Sequence, residues 1–267
     1  MTAIQPPEFL PETQQAITTA LKAAEAVMDV YSHDFSVDVV NGQPVTEADR
    51  RSNALIQAAL TSIGYPILSE ESPDDSQRLT KSKVWIVDPL DGTSDFVNKT
   101  GDFSIMIGLV ENQVPVLGVV YKPVGDELYV AEAGRGAYVK KEGQWQQLKV
   151  SQVAETSSAK AVMSRHHLSD TDKAIVEQLG VSQYLQRGSC GLKVAAVASG
   201  EAELYFTSTS KIKQWDTCAA FCLVTEAGGI MTDLRGQPLL YNTEKVNHQY
   251  GILVSNGKII TSILNNR

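Results

Sequence analysis

The sequence predicts a single α/β protein built from layered helices and strands, and three observations predict it. Apolar residues recur at helical spacing near the amino terminus, the pattern changes to short β-type runs between residues 66 and 133, and strand alternates with helix from about residue 158 onward. At 267 residues, 43% of them hydrophobic, the chain can bury a substantial core. It shows no repeat, low-complexity tract or long linker, so residues 1–267 read as one unit with a seam near residue 150, dividing a 1–150 half from a 151–267 half.

The elements follow in order. Ile17, Leu21, Ala24, Met28 and Tyr31 lie on one helical face, which predicts an amphipathic helix over residues 12–31. A second helix begins at Thr46, where Thr46 and Asp49 stand in capping-box order and Leu55, Ile56, Ala59 and Ile63 form the buried stripe. β-type runs occupy 66–68, 84–87, 104–110, 114–121 and 127–133, with turns at 112–113, 123–126 and 134–136. The second half is predicted as strand 161–163, helix 170–179, helix 189–198, strand 203–206, helix 217–227, and strands 230–231 and 252–254.

A formal charge of −8, from 31 acidic and 23 basic residues, argues against general attraction to a nucleic-acid polymer. No apolar run reaches the roughly 20 residues of a membrane helix, and the amino terminus lacks a basic segment followed by an apolar one. Cys190, Cys218 and Cys222 form no CxxC pair. Together these features give the expectation of a cytoplasmic protein.

The acidic residues carry the chemistry. Trp85-Ile-Val-Asp-Pro-Leu-Asp-Gly-Thr-Ser-Asp-Phe96 runs from a hydrophobic strand into a turn bearing Asp88 and Asp91, with Thr93 beyond and the Leu90 carbonyl able to face the same point. The run 66–68 ends in Ser69-Glu70-Glu71, and Trp215-Asp216 precedes a helical stretch. Oxygen-only donors suit hard cations such as magnesium, manganese or calcium, and no Cys/His cluster suggests zinc. Each element also has an ordinary reading: Asp-Pro and Asp-Gly form turns, Asp49 and Asp216 cap helices, and Glu70-Glu71 is a solvated pair.

Leu68-Ser-Glu-Glu71, Trp85 to Thr93 and Trp215-Asp-Thr-Cys-Ala-Ala220 resemble, in order, the three signature motifs of the inositol-monophosphatase superfamily. The resemblance implies a layered α/β/α/β/α sandwich and a phosphomonoesterase using two or three Mg2+ ions. It assigns Glu70, Asp88, Asp91, Asp216 and the Leu90 carbonyl as metal ligands. Asp49 and Thr93, with Glu70, become the catalytic residues. It further implies inhibition by Li+ and Ca2+. The 1–150 half would carry the metal loops, and the 151–267 half would complete the site and the substrate pocket.

Three cationic clusters bear on the substrate. Gln186-Arg-Gly-Ser-Cys-Gly-Leu-Lys193 places Ser189 and Lys193 at a helix start, a ready anion site whose ordinary reading is a Gly-Ser cap with two surface cations. Val162-Met-Ser-Arg-His-His167 brings Arg165 and His166, and the segment 207–213 brings Ser208, Ser210, Lys211 and Lys213. These segments are similar to those of CysQ-type 3′(2′),5′-bisphosphate nucleotidases, although Ser-Cys-Gly-Leu-Lys stands where two serines precede Leu-Lys. That resemblance implies hydrolysis of the 3′-phosphate of adenosine 3′,5′-bisphosphate, a role in sulfur metabolism, and peripheral docking on the inner membrane's cytoplasmic face, as some relatives show. Asp91, Gly92, Thr93, Arg165, His166, Ser189, Lys193, Lys211 and Asp216 would contact the substrate. The alternatives are an inositol monophosphatase, a fructose-bisphosphatase-like sugar phosphatase, or a non-catalytic metal- or phosphate-binding protein. Loss of Asp49 or Thr93 would mark the last, and both are present.

Overall fold

The computed structural model describes residues 4–166 and 168–259. Two helices, α1 (Pro11–Tyr31) and α2 (Glu47–Thr61), flank a small hairpin of β1 (Val37–Val40) and β2 (Gln43–Thr46). The first half continues with β3 (Ile67–Ser69), β4 (Lys83–Asp91), α3 (Thr93–Val97), β5 (Ser104–Glu111), β6 (Val114–Lys122), β7 (Glu127–Glu132), β8 (Gly136–Lys141) and β9 (Gln144–Gln147). The second half contains β10 (Lys160–Ser164), α4 (Asp170–Gln178), β11 (Gln183–Arg187), α5 (Cys190–Ala198), β12 (Leu204–Thr207), α6 (Gln214–Glu226), β13 (Ile230–Thr232) and β14 (Ile252–Ser255).

β3 to β9 form one sheet in sequence order, and a second sheet has the order β11-β10-β12-β14-β13. Three apolar clusters hold five layers together. α1 and α2 cover one face of the first sheet through Ala20, Val27, Ile56, Trp85 and Val87. α5 and α6 fill the space between the sheets, where Ile86, Met106, Val194, Leu223 and Val254 meet. Val176 and Leu179 of α4 and its end close the outer face of the second sheet against Met163 and Phe206. The architecture is therefore α/β/α/β/α. β4 reads as a continuous apolar run because both of its faces are buried, with Trp85 and Val87 on one side and Val84 and Ile86 on the other.

Both predicted amino-terminal helices form, but their buried faces are offset from the predicted stripes. Alanines line the inner face of α1, with Ala16, Ala20, Ala23 and Val27 buried, while Leu21 is 37% exposed; on α2, Leu55 is 42% exposed and Ser52, Ile56 and Leu60 face inward. Close approach to the sheet favours small side chains, so side-chain size misplaces the stripe. No local side chain caps α1. Glu132, from β7, accepts from Leu10 N (2.9 Å) and Thr13 Oγ1 (2.6 Å) instead. The strands β1, β2, β8, β9 and β11 lie outside the predicted runs. β1 is exposed along its whole length and β11 is the polar edge strand Gln-Tyr-Leu-Gln-Arg, so neither carries an alternating apolar signal.

A glycine notch seats α6 against the first sheet. Gly108 and Gly118 are cross-strand partners on β5 and β6. A Cβ on Gly118 would lie 2.0 Å from the Ala219 carbonyl oxygen, and one on Gly108 would lie 2.5 Å from Cys218 Sγ. Gly118→Ala should therefore destabilise the fold by about 3 kcal/mol, because backbone rather than a flexible side chain must move. Chemical denaturation measures this, and a loss under about 0.5 kcal/mol would contradict it. Since α6 carries Asp216 in its first turn, the notch also sets where that carboxylate sits.

Candidate active site

Parallel pairing of β3 with β4 matches Leu68 to Ile86 and Ser69 to Val87, so the two strands end side by side. Glu70 leaves β3 with its amide donating to Val87 O (3.3 Å), which brings it beside Asp88. Asp216 arrives from the other half on the first turn of α6. One carboxylate oxygen from each of Glu70, Asp88 and Asp216 lies within 4.8 Å of the others. The helix starts three residues earlier than predicted. Asp216 is consequently not an N-cap but reaches back from the first turn to accept from Lys213 N at 2.6 Å.

The Asp-Pro-Leu-Asp segment is the end of β4 rather than an open turn. Its pairing with β5 shifts register between Asp88 and Asp91, and the bulge holds Pro89 and Leu90. Leu90 N donates to Asp88 Oδ1 (3.0 Å), Ser52 Oγ donates to Pro89 O (2.7 Å), and Thr93 Oγ1 lies 3.2 Å from Leu90 O. Gly92 then takes φ +95°, with room for no side chain: a Cβ would lie 3.0 Å from Asp102 O. That turn starts α3 and delivers Thr93.

Asp49 fills both roles that the sequence left open. Its Oδ2 accepts from Thr46 N and Oγ1, each at 2.7 Å, completing the capping box, while Oδ1 accepts from Thr93 Oγ1 at 3.0 Å. Burial raises the Asp49 carboxyl above its ordinary range, against the hydrogen bonds from Thr46 and Thr93.

The acidic centre carries far more negative than positive charge. Burial, followed by repulsion from Glu70, Asp91 and Asp216, pushes Asp88 well above the usual carboxylate range; burial, with Glu70 and Asp91, does the same to Asp216. Glu70 is raised chiefly by burial and eased by Lys213. Glu71 is raised to about 7 by burial, then by Asp49 and Glu70. Among the described residues, the ion pairs of this centre reduce to Lys213 Nζ at 3.8 Å from Glu70 Oε1. Clustered oxygen donors with so little positive charge fit Mg2+. Sequence reasoning placed Lys213 in the cationic cluster before Trp215-Asp216 but took Lys211 as the substrate contact, and it is Lys213 that faces Glu70.

The residues expected to touch substrate behave differently. The start of α5 is occupied from within: Asp91 Oδ2 accepts from Gly191 N (2.8 Å) and from the Ser189 hydroxyl. Ser189 is fully buried, is 2.8 Å from Ser104 Oγ, and caps α5 by accepting from Leu192 N. Lys193 is also buried rather than on the surface, donating to Gly188 O (2.6 Å) above the Tyr205 ring. Arg165 forks between two carboxylates, pairing with Asp95 and with Asp102 Oδ2 (2.7 Å), while His166 Nε2 lies 3.1 Å from Asp95 Oδ2. Lys211 is exposed. His167 lies outside the described residues. Cys190, Cys218 and Cys222 are buried free thiols. No helix among the described residues is long and apolar enough to cross a membrane.

Known proteins match this arrangement along most of its length. A profile described as the inositol monophosphatase family matches residues 10–266. The 3′(2′),5′-bisphosphate nucleotidase CysQ of Shigella flexneri is 35% identical over 253 residues, covering 90% of this chain and 98% of the relative. An inositol-1-monophosphatase of Bacillus subtilis is 33% identical over 185 residues, 67% of each chain. The crystal structure of CysQ from Bacteroides thetaiotaomicron, a bacterial member of the inositol monophosphatase family, aligns with a TM-score of 0.81 at 31% identity, covering 93% of this chain and 98% of that one. With three acids from two halves of the molecule meeting beside a Thr–Asp pair, on a five-layer frame shared with these relatives, the chain belongs to the inositol monophosphatase family.

Proposed function

We propose that the protein is a magnesium-dependent phosphomonoesterase that hydrolyses the 3′-phosphate of adenosine 3′,5′-bisphosphate to AMP and phosphate. The observation carrying this reading is the convergence of Glu70, Asp88 and Asp216 beside the Thr93–Asp49 hydrogen bond. Glu70, Asp88 and Asp216, with Asp91 and the Leu90 carbonyl at the edge, are the groups that would hold the ions. Bound there, Mg2+ supplies charge neutralisation for the phosphate oxygens and acidifies water.

The chain's own residues supply orientation and a proton path. Thr93 Oγ1, its hydrogen directed at Asp49 Oδ1, presents lone pairs to a water hydrogen. As the water oxygen bonds to phosphorus, the bond from phosphorus to the sugar 3′-oxygen breaks, and the departing 3′-oxygen takes a proton from solvent, giving AMP and phosphate. One water proton passes to Thr93 while the Thr93 proton passes to Asp49. Asp49 is suited to receive it because burial has already raised its affinity for a proton. Gly191 and Ser189 both donate to Asp91 Oδ2, so Oδ1 is the Asp91 oxygen that would be offered to an ion.

The choice of substrate rests on similarity to the CysQ relatives. Ser189 and Lys193 already have partners within the chain, which supports a sugar-phosphate monoester, with no second phosphate to hold, as the second reading. Phosphate release in Mg2+ from adenosine 3′,5′-bisphosphate, its sulfated analogue, inositol 1-phosphate and fructose 1,6-bisphosphate separates the two. We expect kcat/KM for the adenosine bisphosphate to exceed that for either sugar phosphate by at least about 100-fold, the scale a few polar contacts provide. Preference for inositol 1-phosphate overturns the substrate, and release from none of the four overturns the phosphatase.

A further inference from the structure

Lys213 stands out because the mechanism above does not use it and its position is fixed. Its backbone occupies the N-cap of α6, donating to Asp216 Oδ2 at 2.6 Å and forming a β-bridge with Asn247. The flanking residues are clamped as well: His248 N donates to Ile212 O and Gln214 N to Val246 O, both at 2.9 Å. The side chain runs over the Trp215 ring, with Nζ 4.7 Å from its centroid, and ends 3.8 Å from Glu70 Oε1. Among the described residues, none of Asp49, Glu71, Asp88, Asp91 and Asp216 has an ion pair within 4.0 Å; Arg50, which acts on Glu71 and Asp49 from a distance, is paired with Asp38, so this ammonium is the cation in direct ion contact with the centre.

We propose that Lys213 is a built-in counter-ion of the acidic centre, a positioning residue that holds Glu70 and competes with divalent cations for it. The inference rests on the metal reading above. An ammonium on one carboxylate offsets repulsion among the acids when no ion is bound, and it opposes an incoming doubly charged ion when one is. Lys213 therefore weakens cation binding while stabilising the empty centre. Its stacking on Trp215 restrains the side chain from swinging into solvent, so the charge stays where it opposes the ion.

The test uses the full chain stripped with EDTA, titrated with MgCl2 by isothermal calorimetry at fixed pH and ionic strength. Wild type, K213M and K213R are compared, with Asp88→Asn as the reference for a damaged centre. We expect K213M to bind Mg2+ roughly tenfold more tightly than wild type, the scale of one unit charge at a half-open site, and K213R to match wild type within about threefold. In parallel melts, the stripped K213M should unfold at lower temperature than wild type yet gain more from saturating Mg2+. A merely structural lysine would lower both melts equally and leave the affinity unchanged or weaker, which overturns the proposal. If K213M does not fold, K213Q carries the same expectation. Absence of Mg2+ binding by the wild type overturns the metal reading itself, whereas equal binding by wild type and K213M overturns the role of Lys213 alone.

Discussion

Asp88→Asn should lower kcat by roughly 1,000-fold or more while making the metal-free protein harder to unfold. The two effects have one cause. Asp88 is 2% exposed, with Glu70, Asp91 and Asp216 as charged neighbours, so its carboxylate is held against repulsion that bound cations or protons relieve. Asparagine keeps the Oδ1 that accepts from Leu90 N at 3.0 Å, and the bulge should survive. The pH dependence follows in sign. The folded pKa values of Glu70, Asp88 and Asp216 lie above their unfolded values, so the native state holds more protons than the unfolded chain. Stability of the stripped protein should therefore fall as pH rises from the ordinary carboxylate range through the raised values, and Mg2+ should restore it. Thermal melts from pH 4.5 to 8.5 with and without Mg2+ check this. A stripped wild type that gains stability with pH, or an Asp88→Asn variant that turns over normally, would contradict the account.

Arg165→Met should cost about 3 kcal/mol in a denaturant titration, more than the loss of an exposed ion pair. It leaves Asp95, 1% exposed, and Asp102 without the guanidinium that joins them. Asp95 belongs to α3, which begins with Thr93, and Asp102 O accepts from Ser189 N at 3.0 Å. Arg165 sits on the loop after β10, so it ties the turn carrying Thr93 to the second half. Loss of kcat should accompany the loss of stability. A variant as stable as wild type but with KM raised tenfold would instead make Arg165 a substrate ligand, as the sequence suggested.

The contrast between these two positions explains how much was legible beforehand. Asp88 announced itself because a strand, a turn and an acid are consecutive in the chain, and local pattern reports on them directly. Asp49 was legible in two ways at once, as a capping-box acid and as a motif residue, and the structure gives its two oxygens different partners, Thr46 and Thr93. The partners of Arg165, Ser189 and Lys193 were not legible for the opposite reason. Cations and hydroxyls near a helix start advertise an anion, but whether that anion is a ligand or a carboxylate of the chain depends on a partner about 100 positions away, as for Gly191 and Asp91.

By itself, then, the sequence determined the secondary elements with strong periodicity, the acids that could bind a cation, and the order in which the motifs appear. Tertiary structure alone decided that Glu70, Asp88 and Asp216 share one centre, that Asp91 answers the dipole of α5, and that Lys213 rather than Lys211 faces Glu70. The physical reason is that a charge is satisfied by whatever the packing brings near it. Here that packing is set by a parallel β3–β4 register and by two glycines that let α6 rest directly on the sheet.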